Sequence, residues 1–134
     1  MRIVLDTSAV IHLVERKHPA VVAALRSASE PPTISAVTLG ELAVGWPSVS
    51  ADSQRRRTYR AARRLHIVNI VADGLQQDPT DLVLAFGACR DVGIKGNDAW
   101  IAATARFTTS TLVTFDSTLA SRYATIGQST LLIE

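Results

Sequence analysis

The chain has 134 residues, of which 47% are hydrophobic and 19% are charged, and its formal net charge is +2. This composition excludes a disordered chain, and the length suits one domain, which we expect to span residues 1–134. The single cysteine, Cys89, excludes an intramolecular disulfide. Because no signal-peptide pattern and no membrane-spanning run of roughly 18 apolar residues is present, we expect a cytoplasmic protein.

Short apolar runs alternate with helical patterns along the chain. The first half is predicted to contain, in order, a strand at 2–5, helices at 8–15 and 19–28, a strand at 33–35, a helix at 38–45 closed by Gly45 and Pro47, and an arginine-rich helix at 51–65. The second half is predicted to contain a strand at 66–71, helices at 78–92 and 97–107, a strand at 111–115, a helix at 117–123 and a strand at 131–133. This alternation predicts an α/β fold whose sheet is mostly parallel and has about five strands.

Four carboxylates stand near the ends of predicted strands or the starts of predicted helices. Asp6 directly follows the first strand, and Asp116 directly follows the fourth. Glu41 lies early in the helix after the second strand, and Asp98 lies at the start of a helix. Because ligands of open α/β sheets bind at the carboxyl ends of the strands, we expect Asp6, Glu41 and Asp116 to share one edge of the sheet. Asp98 reaches that edge if its helix begins there.

Each carboxylate also has a purely structural interpretation. Asp is a favoured N-cap residue, which applies to Asp6, Asp98 and Asp116. Thr38 and Glu41 match a capping box, in which Glu41 would bond back to the Thr38 amide. If the four carboxylates were only separate helix caps, their convergence on one edge of the sheet would be less easily explained. Two carboxylates about 4 Å apart repel by roughly 4 kcal/mol at an effective dielectric of about 20, so a cluster takes up protons or binds cations.

The ligand chemistry favours Mg²⁺ or Mn²⁺ over zinc. Carboxylate oxygens without Cys or His partners are typical of these hard cations. His12, His18 and His66 have no zinc-ligand spacing and are interpreted as ordinary helix or surface residues.

A local basic patch accompanies the carboxylates. Six arginines fall within ten residues, namely Arg55, Arg56, Arg57, Arg60, Arg63 and Arg64. Such a patch suits a polyanionic substrate, and Arg56, Arg60, Arg63 and Arg64 are its candidate binding residues. A face that is only solvated is an equally open interpretation.

Apolar residues at helical spacing are expected to be core, with a partner surface as the alternative. They are Leu13, Val22, Leu25, Leu39, Leu42 and Trp46.

The chain resembles the PIN-domain ribonucleases and, within them, the VapC-type toxins of bacterial toxin–antitoxin pairs. The resemblance is carried by VLDTSAVI (4–11), ISAVTLGELAVG (34–45), NDAWIAATA (97–105) and LVTFDSTLA (112–120). It implies a three-layer α/β/α sandwich and a Mg²⁺-dependent endoribonuclease that hydrolyses RNA with metal-activated water. It also implies a homodimer bound by a cognate antitoxin. With RNA as the substrate, Arg56, Arg60, Arg63 and Arg64 are the candidate RNA-binding residues, and a solvated face with antitoxin or dimer contacts is an equally open interpretation.

The resemblance implies that Asp6, Glu41, Asp98 and Asp116 hold the metal, which is Mg²⁺ with Mn²⁺ as a possible substitute. The polar residues that match the family beside them are Thr7, Ser8, Ser35, Asn97 and Thr114. Our hypothesis makes Asp6 the central ligand, shared with Asp98 and Asp116, while Glu41 binds through water or orients the attacking water. Thr7 or Ser8 is expected to position Asp6, the phosphate or a metal-bound water, with helix capping as the alternative for Ser8.

Two residues depart from the family pattern. Trp100 stands where a smaller aliphatic residue is more usual, and Leu119 stands where an aromatic residue is common. Neither departure removes a ligand, so both concern substrate choice and local packing.

Other functional classes fit the sequence less well. A receiver-type phosphotransfer domain needs paired acids after the first strand and a late lysine, whereas Thr7 and Ser8 follow Asp6 and no lysine follows Lys95. A HAD-like phosphatase needs Asp-x-Asp, and Ser8 occupies the second position. A non-catalytic PIN fold that binds RNA or a partner remains an open alternative.

Overall fold

The computed structural model describes residues 1–44, 53–68 and 79–134. The strands are β1 (Ile3–Leu5), β2 (Thr33–Ser35), β3 (His66–Val68), β4 (Thr111–Thr114) and β5 (Thr130–Leu132). The helices are α1 (Thr7–Arg16), α2 (Pro19–Ser27), α3 (Ala36–Leu42), α4 (Gln54–Ala62), α5 (Pro79–Asp91), α6 (Gly96–Phe107) and α7 (Ser117–Ala124).

The five strands form one sheet in the order β3-β2-β1-β4-β5, and each pair of neighbours is parallel. Val4 of β1 lies beside Thr33 of β2 on one side and beside Leu112 of β4 on the other. Because the three strands run in the same direction, the residues that follow them lie at one edge of the sheet. The predicted α/β fold with a parallel sheet is confirmed.

Alternating side chains of the strands contribute to two separate hydrophobic clusters. Val4 and Leu112 belong to one cluster, which includes buried residues of α5, α6 and α7. Ile3, Leu5 and Val113 belong to the other, which includes buried residues of α1, α2, α3 and α4. Two helical layers therefore enclose the central sheet, as expected for a three-layer sandwich.

Helix α3 begins earlier than the sequence predicts. The hydroxyl of Ser35 caps it by accepting the amide of Val37 at 3.1 Å, so the helix starts at Ala36 and ends at Leu42 rather than spanning 38–45. The capping box predicted at Thr38 and Glu41 is wrong, because Thr38 already lies inside the helix and is fully buried.

Other boundaries stay close to the prediction. Pro19 opens α2, and Gly93, with φ of +91°, follows the end of α5, where its amide donates to the carbonyl of Arg90. Such a left-handed position favours glycine. The arginine-rich helix α4 is shorter than predicted, at Gln54–Ala62. The predicted features at residues 45–52 and 69–78, among them Gly45, Trp46 and Pro47, lie outside the described residues.

The apolar candidates mostly belong to the core. Leu42 is fully buried, and Leu13, Leu25 and Leu39 pack against the same cluster. Val22 is partly buried on α2, beside a surface groove. Across residues 1–44, 53–68 and 79–134, no helix has the length and apolar character that crossing a membrane requires.

Candidate functional site

The four predicted carboxylates line a single cleft of about 450 Å³ at the carboxyl edge of the sheet. Its lining residues are Asp6, Thr7, Ser8, Ile11, Glu41, Asp98, Phe115 and Asp116. The strands β1 and β4 deliver Asp6 and Asp116, and the helices α3 and α6 deliver Glu41 and Asp98. The structure thus brings together side chains that the sequence separates by up to 110 positions.

Asp6 is buried and is held on both carboxylate oxygens. Oδ1 caps α1 by accepting the amide of Ala9 at 2.8 Å, and it also accepts the hydroxyl of Ser8 at 3.0 Å. Oδ2 accepts the hydroxyl of Thr114. Burial raises the pKa of Asp6, the three hydrogen bonds oppose that rise, and the nearby charge of Asp116 adds to it. Asp6 is therefore both a helix cap and a cleft carboxylate.

Glu41 bonds across helices rather than within its own. The hydroxyl of Thr7, in the first turn of α1, donates to Oε1 of Glu41 at 2.5 Å. The hydroxyl of the buried Thr38 lies 3.3 Å from that of Thr7 and is a second acceptor for the same proton. Thr38 therefore lies next to the Thr7–Glu41 pair, whereas the sequence pattern indicated only a capping role for it.

Asp98 is not a helix cap. Lys95 occupies the N-cap position of α6 without a side-chain hydrogen bond, and Asp98 lies in the first turn with an exposed side chain. Partial desolvation raises the pKa of Asp98, and the charges of Glu41, Asp116 and Asp6 raise it further. The pKa of Asp98 therefore depends on the charges of all three other acids of the cleft.

Asp116 follows β4 and caps α7. Its Oδ1 accepts the amides of Thr118 and Leu119 at 2.9 and 3.0 Å. The hydroxyl of Thr114 accepts the Asp116 amide at 3.0 Å and donates to Asp6. Thr114 thus connects two of the carboxylates through one side chain.

The remaining predicted supporting residues differ in position. Ser35 is buried as the cap of α3 and is not among the residues that line the cleft. Asn97 is exposed beside Asp98, and its side chain makes no hydrogen bond within the described residues.

The two residues that depart from the family pattern have packing contacts. Trp100 stacks on Phe86 of α5 with ring centroids 3.9 Å apart, and Leu119 is buried in the core.

The oxygen donors fit a hard divalent cation, although they do not form a closed cage. Within the described ranges, no three His, Cys, Asp or Glu side chains are arranged to hold a metal ion together. Mg²⁺ usually keeps several waters and binds through one or two carboxylates, so an open cleft with four acids suits it better than a compact cage. Burial is the main cause of the raised pKa values of Asp6 and Asp98, and repulsion from the neighbouring acids adds to it. A bound cation relieves that repulsion.

The arginines of α4 do not line the cleft. Helix α4 packs against α1 and α3, which carry Thr7 and Glu41. Arg60, Arg63 and Arg64 are exposed, whereas Arg56 is partly buried. The basic surface therefore neighbours two helices of the cleft without entering it.

Sequence reasoning missed two apolar members of the cleft, Ile11 and Phe115. The signal for Phe115 was its position directly before Asp116 at the end of a strand. Ile11 lies one helical turn beyond Thr7 and Ser8, the spacing that places residues on one face of a helix.

Comparisons with known proteins agree with this fold. The chain resembles the structure of VapBC2 from Rickettsia felis bound to a promoter DNA fragment, with a TM-score of 0.75 and 20% identity over 100% of both chains. It resembles VapBC-1 from nontypeable Haemophilus influenzae, with a TM-score of 0.74 and 18% identity over 98% of both chains. It also resembles a toxin–antitoxin complex from Klebsiella pneumoniae, with a TM-score of 0.63 and 27% identity over 85% of this chain and 86% of that one.

A search of curated protein sequences finds no match. The family model of the PIN domain, in contrast, matches residues 3–124, which is most of the sequence and includes all four cleft carboxylates. This chain belongs to the PIN-domain family.

Proposed function

We propose that this chain is the toxin of a VapBC-type toxin–antitoxin pair and acts in the cytoplasm as a divalent-metal-dependent endoribonuclease. The observation that carries this proposal is the convergence of Asp6, Glu41, Asp98 and Asp116 on one cleft of a PIN fold. The similar structures named above, which are toxin–antitoxin complexes, support the toxin assignment. We take residues 1–134 to act as one domain.

We propose that Asp6, Asp98 and Asp116 hold Mg²⁺, or Mn²⁺ in its place, with water molecules of the cation bridging to the carboxylates that do not contact it directly. The bound cation would lower the pKa of a water molecule and neutralise charge on the scissile phosphate. Asp6 is the best positioned of the three, because Thr114, Ser8 and the Ala9 amide fix its carboxylate from different sides. Such outer hydrogen bonds orient a metal ligand and favour its ionised form.

Glu41 is proposed to orient the attacking water. Thr7 bonds to its Oε1, which leaves Oε2 without a hydrogen bond from the described residues. A carboxylate held by one oxygen presents the other in a defined direction, as a general base requires. Because water is the nucleophile, the reaction needs no catalytic Ser or Cys.

We propose that Arg56, Arg60, Arg63 and Arg64 bind RNA phosphates outside the cleft. Helix α4 packs against α1 and α3. An RNA strand that leaves the cleft along these two helices therefore meets the arginines of α4. The contribution of these arginines should fall as the salt concentration rises.

We also propose a homodimer and a cognate antitoxin as protein partners. Val83 and Leu84 of α5 are 54% and 65% exposed, which is unusual for adjacent large apolar residues and suits a protein interface. The acidic cleft suits a basic segment of the antitoxin, which would block it by charge complementarity.

Cleavage of total RNA by the purified protein, with Mg²⁺ or with EDTA, tests the proposed function. The wild type should cut RNA only with the metal, and Asp6→Asn or Asp98→Asn should abolish cutting while the far-ultraviolet circular dichroism stays unchanged. Asp81→Asn is the matched control, because it removes an exposed carboxylate outside the acidic cleft and should cut like the wild type. Full activity in Asp98→Asn, or cutting in EDTA, would contradict the proposal; a wild type that binds RNA without cutting it would instead favour a non-catalytic PIN module.

A further inference from the structure

Three aromatic rings lie together beside the acidic cleft. Phe115, which lines the cleft, stacks on His12 with ring centroids 4.1 Å apart and 22° between the ring planes. His18 meets Phe115 edge-on, with centroids 5.2 Å apart, and lies 6.0 Å from His12. We call Phe115, His12 and His18 the ring cluster. It extends from the cleft to the turn between α1 and α2.

The backbone holds both imidazoles in place. Nδ1 of His12 lies 2.8 Å from the carbonyl oxygen of Ser8, and because a carbonyl only accepts, Nδ1 is the donor in this contact. Nδ1 of His18 instead accepts the amide of Ala20 at 3.2 Å. The rings are therefore ordered before any ligand arrives, which lowers the entropic cost of binding one.

The ring cluster is not explained by core packing alone. All three rings are partly exposed, and two of them are imidazoles rather than hydrocarbon side chains. Phe115 packs against the core on one side and lines the open cleft on another. A partly exposed stack beside the carboxylates therefore presents aromatic surface to whatever enters the cleft.

Positively charged side chains lie in a groove next to His18 of the ring cluster. Lys17 and Pro19, which flank His18 in the chain, line a groove of about 710 Å³ together with Arg26 of α2. A ligand that crosses the ring cluster thus meets cations on one side and the acidic cleft on the other. This sequence of surfaces matches a single nucleic acid strand, whose bases stack on aromatic rings and whose phosphates pair with cations.

We infer that the ring cluster stacks a base of the single-stranded RNA substrate and thereby positions the neighbouring phosphodiester in the acidic cleft. His12, Phe115 and His18 are positioning residues in this proposal, which rests on the proposed ribonuclease function. Stacking accepts any base, so the cluster favours unpaired RNA over a duplex without selecting a sequence.

Binding of a labelled single-stranded RNA about 12 nucleotides long, measured by fluorescence anisotropy in EDTA, tests the inference without cleavage. His12→Leu keeps apolar bulk but removes the ring, and it should weaken binding about 5- to 150-fold, the range for one lost base–aromatic stack. His12→Tyr is the matched control, since it also loses the contact with Ser8 but keeps a ring, and it should bind like the wild type. Phe115→Leu removes the other ring of the stack and should also weaken binding of the RNA.

Abasic substitutions in the same RNA supply a readout that a structural role would not move. One abasic position should weaken binding to the wild type by a similar factor and leave binding to His12→Leu unchanged. Equal affinity of wild type and His12→Leu, equal losses in the Leu and Tyr variants, or no binding by the wild type would overturn the inference. Failure of this inference is distinguishable from failure of the proposed ribonuclease function. The first is measured as RNA binding in EDTA, and the second as RNA cleavage by the wild type with Mg²⁺.

Discussion

The hydroxyl of Thr114, in the last position of β4, donates a hydrogen bond to Oδ2 of Asp6, which follows β1. The two strands are neighbours in the sheet, with Leu5 beside Val113, so residues 108 positions apart in sequence meet directly. This contact ties the ionisation of a buried carboxylate to the pairing of two central strands.

Replacing Thr114 with Val should therefore lower both stability and activity. The variant removes a hydrogen bond to a buried charged group, which contributes about 1.5–3 kcal/mol to unfolding free energy. It also removes a contact that orients the Asp6 carboxylate and opposes the rise in its pKa, so metal-dependent cleavage should fall. Urea denaturation and the cleavage assay measure the two effects.

Thr111→Val is the control for this prediction. Thr111 lies on the same strand and pairs with the hydroxyl of Ser129 at 3.0 Å, away from the cleft. It should lose stability without losing cleavage. An equal loss of cleavage in both variants would contradict a specific role for Thr114.

In EDTA, Asp98→Asn should unfold at a higher urea concentration than the wild type at pH 7. The pKa of Asp98 is raised above its ordinary value of 3.8, so the folded protein holds its proton more tightly than the unfolded chain does. The resulting stability is fully present below about pH 4 and is lost as pH rises through the folded pKa. The advantage of the Asn variant should shrink as the pH falls towards 4, and a constant advantage across this range would show that the charge of Asp98 is not its cause.

Tyr123→Phe should leave the unfolding free energy unchanged or raise it by about 1–2 kcal/mol. Tyr123 is fully buried, and its hydroxyl has no hydrogen bond partner among the described residues, so removing it relieves a desolvation cost. Tyr123→Ala, which leaves a cavity, should instead cost about 3–5 kcal/mol. Thermal denaturation of the three proteins checks the prediction, and a clear loss in the Phe variant would refute it.

Neutralising Arg60 and Arg63 together should weaken RNA binding mainly at low salt. Each phosphate contact to a single strand contributes about 0.7 to the slope of log affinity against log salt, so the double Gln variant should flatten the slope by about 1.4. Anisotropy titrations at several salt concentrations provide the slopes. Arg2→Gln is the control, because Arg2 lies outside helix α4 and forms an ion pair with Glu30 at 3.3 Å. This variant should leave the slope unchanged.

The sequence predicted the features that local rules determine. The start of α2 at Pro19 and the glycine after α5 at Gly93 follow from backbone geometry that few other residues share. The meeting of Asp6 and Asp116 was predictable because parallel strands place their carboxyl ends at the same edge of the sheet.

Contacts between distant segments were not predictable in the same way. Ser35 and Thr38 are both acceptable N-cap residues, and only the end of β2 at Ser35 decides between them. The bond from Thr7 to Glu41 and the stack of His12 on Phe115 depend on how α1 packs against α3 and β4, which no local pattern specifies.

The capping roles of Asp6 and Asp116 have an evolutionary consequence. Asn accepts the same backbone amides as Asp but carries no charge, so a single change from Asp to Asn preserves both helix starts while it weakens the attraction for a cation. Catalysis in such a domain is separable from its architecture. An inactive descendant would keep its outer surfaces, and with them any protein partner that recognises those surfaces.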